Sequence, residues 1–157
     1  MSVLQEKQLE ACQERLMRRP AVSIFDTENE DEARLIFSAS FYAQEMRGRF
    51  PGKNTLRKKV MDYLPHEACL LSAEEDALVK RMLAGNNETL LAEWTEISAA
   101  EALIARLWCT LEIRDDETAA LQLHPTLAKP LTEAMLSGTY TALQSLLFSF
   151  DATLHSL

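Results

Sequence analysis

"LEIRDDETAALQL", residues 111–123, is the stretch where the apolar pattern changes its period from 3.6 to 2. Leu111 and Ile113 fall on one side, Glu112 and Arg114 on the other. Past the turn, Ala119, Leu121 and Leu123 alternate with Ala120 and Gln122. Such alternation around a polar turn predicts an antiparallel β-hairpin. The turn "DDET" has no Gly and no Asn-Gly, so a loop of about four residues is expected rather than a tight primed turn.

Upstream of the hairpin the pattern is helical. "SAEEDALVKRMLAG" predicts a helix over 73–84, started by Ser72 with Glu75 and stopped by Gly85. Asn87 is read as the cap of a helix over 88–96, and Ser98 with Glu101 as the cap of another over 99–109. Nearer the N-terminus, Ser2 with Gln5 opens a helix over 3–19 that Pro20 ends. Thr27 with Glu30 opens one over 28–47 that Gly48 breaks. Asn54 caps a third, over 55–64, closed by Pro65. Four Gly and five Pro leave little for the many turns of an all-β fold.

The expected fold is therefore mainly α: a multi-helix bundle with one short β-hairpin. A length of 157 residues suits one domain, 1–157. Its sub-units are the N-terminal helices 1–71, a three-helix-plus-hairpin unit 72–124, and a C-terminal core helix 125–157. The middle unit has the element order of a winged helix. Its chemistry disfavours DNA. The reading position "SAAEALIARLW" offers Arg106 alone, and the hairpin tip carries Asp115, Asp116 and Glu117.

Charge is unevenly spread. The chain is −8 overall, yet residues 1–71 are neutral and residues 72–124 carry −7. Against that background, Arg47, Arg49, Lys53, Arg57, Lys58 and Lys59 crowd into residues 46–59 with no acid among them. Arg47 and Arg49 suit a helix C-terminus. Arg57, Lys58 and Lys59 sit early in a helix, where the dipole disfavours cations. An anion, an acidic protein partner, the chain's own acidic unit or plain solvation would each account for them.

Residues 134–150 hold no charge, and Leu136, Tyr140, Leu143, Leu147, Phe150, Leu154 and Leu157 follow alternating spacings of four and three. They are expected to form a central bundle helix, or to carry a homodimer contact. Cys12, Cys69 and Cys109 form no disulfide framework, which points to a reducing cytoplasm. No signal peptide or membrane span is expected. His66 and Cys69 are three apart, but nothing nearby completes a metal set, and no catalytic or nucleotide-binding motif occurs. No metal, cofactor or catalytic residue is predicted. The expected role is a non-enzymatic adaptor or regulatory module binding an unidentified protein. The alternatives are a winged-helix DNA-binding regulator and a helical small-ligand-binding domain or enzyme.

Overall fold

A computed structural model describes residues 3–17, 22–116 and 118–136. Among these the chain forms α1 (Val3–Met17), α2 (Glu30–Ser38), α3 (Phe41–Glu45), α4 (Lys53–Ala68), α5 (Ala73–Ala84), β1 (Glu88–Leu90), α6 (Trp94–Ala105), β2 (Cys109–Ile113), β3 (Ala119–Leu123) and α7 (Pro125–Leu136). The fold is mainly α with a small antiparallel sheet. The hairpin is where the alternation put it, with Leu111 opposite Leu121 and Ile113 opposite Ala119. Its loop closes through the Arg114 N–H donating to the Thr118 carbonyl at 3.0 Å.

The middle unit differs from expectation. Residues 88–96 are not a helix. Asn86 and Asn87 adopt φ of 60° and 68°, a left-handed conformation Asn tolerates better than most residues. The Asn87 N–H returns to the Met82 carbonyl at 2.7 Å and ends α5. The chain leaves that turn as β1, which pairs with the free edge of β3. The sheet order is β1-β3-β2, so β3 is central. Ser98 lies inside α6 and caps nothing. The helix starts earlier, where the Glu96 carboxylate accepts the Ala92 and Glu93 N–H groups at 2.7 and 3.3 Å. The unit 72–124 thus contains two helices and a three-stranded sheet, in place of three helices and a hairpin.

Two further boundaries move. The predicted helix over 28–47 divides into α2 and α3 at Ser40, whose hydroxyl and N–H both donate to the Phe37 carbonyl, at 2.7 and 3.0 Å. A serine side chain that bonds the backbone offers an alternative to the helical ladder. The cap of α2 is Asn29, whose Oδ1 accepts from Asp31 and Glu32. In the other direction, α4 runs on through Pro65 to Ala68. Proline removes one hydrogen bond to the carbonyl four residues back. The extra turn buries Glu67 and Ala68 in return.

Helix ends α3, α5 and α6 share one device. In each, an N–H returns five residues to a helix carbonyl: Gly48 to Ala43, Asn87 to Met82, Trp108 to Leu103. The residue before it is left-handed: Arg47, Asn86 and Leu107. At Leu107, where Gly is usual, this conformation costs roughly 1–2 kcal/mol. The turn leads into Trp108, which is fully buried. One core spans the sheet and helices, with Leu56, Val60 and Leu64 of α4 meeting Leu127 and Leu131 of α7.

Candidate functional site

The basic run does not act as one patch. Arg57 is an internal clamp. Its Nε donates to the Ile24 carbonyl at 2.7 Å, its Nη1 to Asn54 Oδ1 at 3.0 Å, and its Nη2 to the Thr27 carbonyl. It ties residues 24–27 to α4. Glu28 lies 3.4 Å from Arg57, and Lys53 pairs with Glu30 at 3.8 Å. The carboxylates that meet the run among the described residues are thus those of α2's entry, not those of 72–124. Because α4 starts at Lys53, Arg57 to Lys59 lie past its first turn, where the dipole penalty has faded. Arg47, Arg49 and Lys58 are exposed and make no ion pair among the described residues.

Lys59 faces somewhere else. It belongs to a cleft of 460 Å³ between α3, α4 and the end of α6. Lys59, Tyr63 and Glu67 line it from α4 at spacings of four, one face of a helix, and Leu70 lines it from just past the helix end. Phe41, Tyr42 and Glu45 close it from α3, with Met46 just past its end, and Arg106 from the α6 end. The walls are aromatic: Phe41 stands edge-on to Tyr42 at 5.7 Å, and Tyr42 stacks near Tyr63 at 6.4 Å. The Lys59 ammonium lies 5.9 Å from the Tyr63 ring centroid, a cation held on a π face.

A charged network forms the back of the cleft. The Tyr42 hydroxyl donates to Glu67 Oε1 at 3.0 Å. Arg106 lies 3.7 Å from Glu67 Oε2 and 3.8 Å from Glu75 Oε2, beyond hydrogen-bond length from both. It packs over Trp108 at 6.0 Å. Tyr42 and Glu67 are 1% and 5% exposed, so this network is inside the protein. Burial pushes the Glu67 carboxyl above its ordinary range. The Tyr42 hydroxyl and the Arg106 guanidinium pull it back only in part. Burial and the Glu67 charge push the Tyr42 phenol up, which keeps it a hydrogen-bond donor.

Of the six candidate partner-binding cations, Lys59 alone lines this cleft; His66 and Arg106 enter the sequence reading in other roles. Stopping α4 at Leu64 hid Glu67. With the helix continued, Leu56, Val60, Leu64 and Glu67 form one stripe, and a carboxylate on a core stripe is the signal that marks the site. His66 is exposed on the cleft wall, while Cys69 is buried and its thiol donates to the Pro65 carbonyl at 3.3 Å. No group of three or more His, Cys, Asp or Glu among the described residues is placed to hold a metal ion. Leu136 ends α7 and is 80% exposed. Tyr140, Leu143, Leu147, Phe150 and Leu154 lie outside the described residues. No helix among the described residues is long and apolar enough to cross a membrane. No family model, no curated protein and no solved structure matches the chain.

Proposed function

We propose that this chain is a non-enzymatic binding module whose working surface is the cleft along α4, and that its ligand is a small organic molecule. The observation that supports this is the cleft itself. Its volume of 460 Å³ falls within the roughly 300–1,000 Å³ of small-molecule sites, and its aromatic walls converge on a few polar groups. Perturbed carboxyl and phenol groups also occur in enzymes. Here they are spent on each other: Glu67 Oε1 is occupied by Tyr42, and Oε2 is buried beside Arg106.

Two observations weigh against nucleic acid. Arg106, the one cation at the end of α6, faces Glu67 and Glu75, and the hairpin tip carries Asp115 and Asp116. A second reading, an acidic protein partner, draws on exposed Arg47, Arg49 and Lys58, which have no ion pair among the described residues.

Equilibrium dialysis against the small-molecule fraction of the source cells, with metabolites quantified by mass spectrometry, tests the reading. Tyr63 is half exposed, so Tyr63→Arg fills the cleft with little demand on the core. The wild type is expected to enrich a compound that Tyr63→Arg does not. Equal profiles for the two proteins overturn the proposal.

A further inference from the structure

We infer that the ligand of this cleft is an organic acid, with its carboxylate on Arg106 and its apolar body along Tyr63, Phe41 and Met46. The inference rests on the cleft being a ligand site. Its basis is the state of Arg106. The Arg106 side chain is 20% exposed and opens on the cleft. Two carboxylates flank it at 3.7 and 3.8 Å, close enough to hold it in place. Neither takes a hydrogen bond from it, and the side chain makes none to any other described residue. A guanidinium is a rigid fork of donors that fits a carboxylate in two parallel bonds. Glu67 and Glu75 are then positioning residues for Arg106, and the fork remains for the ligand.

Exposed cations also stand near the mouth. Lys59 lines the cleft without an ion pair among the described residues, and its neighbour Lys58 is exposed. Arg47 follows the cleft residue Met46 and is also exposed. Glu45 and Glu67 are the acids of the lining, and Glu67 already faces Arg106. From Lys59 to Glu67 is eight residues of helix, about 12 Å of rise. The head group therefore sits at one end of an elongated site, and Lys59 attracts it from the other. Between them, Tyr63 and Phe41 expose 48% and 40% of their surface, apolar area that a ligand body would cover.

Calorimetric titration with phenylbutyrate and octanoate, each beside its neutral alcohol, phenylbutanol and octanol, separates head from body. The acids are expected to saturate one site per chain and to bind at least about tenfold more tightly than the alcohols, the worth of one charge-assisted hydrogen bond. Arg106→Lys keeps a charge beside Glu67 but loses the fork. It is expected to weaken the acids about tenfold and leave the alcohols unchanged. If acids and alcohols bind alike, the carboxylate assignment is wrong while the cleft remains a ligand site. If neither class binds, both readings fall. The wild-type comparison needs no variant, so a folding defect in Arg106→Lys leaves the test intact.

Discussion

Replacing Arg57 with alanine is predicted to cost about 3 kcal/mol of folding stability, although Arg57 belongs to the most basic stretch of the chain. The guanidinium donates to the carbonyls of Ile24 and Thr27 and to Asn54 Oδ1. Ile24 and Thr27 are 1% and 2% exposed. A hydrogen bond from a charged donor contributes ~1.5–3 kcal/mol, and a buried carbonyl left without a donor forfeits much of that. The Arg57 side chain is 21% exposed and its pair Glu28 80%, so the ion pair itself adds less than about 1 kcal/mol. Recovered side-chain entropy of ~2 kcal/mol offsets part of the sum, which leaves the figure given. In a chain of this size that lowers Tm by roughly 6–12 °C. Urea titration followed by far-UV circular dichroism measures it, with Lys58→Ala as the control, expected within about 0.5 kcal/mol of wild type. An Arg57→Ala protein as stable as Lys58→Ala would refute the clamp and return Arg57 to the solvated surface.

Glu67 gives a pH dependence of defined sign. Its folded carboxyl titrates above its unfolded value of 4.5, so its contribution is fully present below that pH and is lost as pH rises through the folded value. Glu67→Gln is expected to flatten stability against pH above 4.5, measured by urea titration at several pH values; an unchanged slope counts against burial as the cause. Gly85→Ala should lose about 1–2 kcal/mol despite alanine's better helix propensity, because the new Cβ would lie 2.8 Å from the Glu88 carbonyl oxygen and 3.0 Å from that of Arg81. A thermal melt showing stabilisation would mean the α5–β1 turn gives way. Cys109 is buried and burial pushes its thiol up, so the native protein should resist alkylation there, read by peptide mass mapping, and react once unfolded. Labelling at native rates equal to unfolded ones would place that thiol at the surface.

Much of the fold was legible because its signals are local. The β2–β3 hairpin shows in the alternation of residues 111–123, and α5 shows in Ser72, whose hydroxyl accepts the Glu75 N–H at 3.2 Å, and in Gly85. β1 was not legible. It is three residues long and exists because two successive asparagines take left-handed conformations and deliver it to the edge of β3. Periodicity cannot register a strand that short. The division at Ser40 depends on which way one hydroxyl turns. The cleft was missed for a related reason. Pro65 reads as a helix stop, yet the helix passes it and buries Glu67, and no local rule predicts that the packing of one more turn outweighs a lost hydrogen bond. The basic run was conspicuous but misleading as a unit. Its partners are backbone carbonyls and two glutamates some 23 to 33 residues earlier, which composition does not reveal.

The central claim is that the cleft along α4 is where this protein binds its ligand. Methyl NMR of the methionine-labelled protein, titrated with the small-molecule fraction of the source cells, tests it most directly. Met46 lines the cleft, and Met82 is fully buried in the core. The account predicts a saturable shift of the Met46 methyl with Met82 unmoved, abolished in Tyr63→Arg. A Met46 signal that stays still, or that moves equally in Tyr63→Arg, would contradict it.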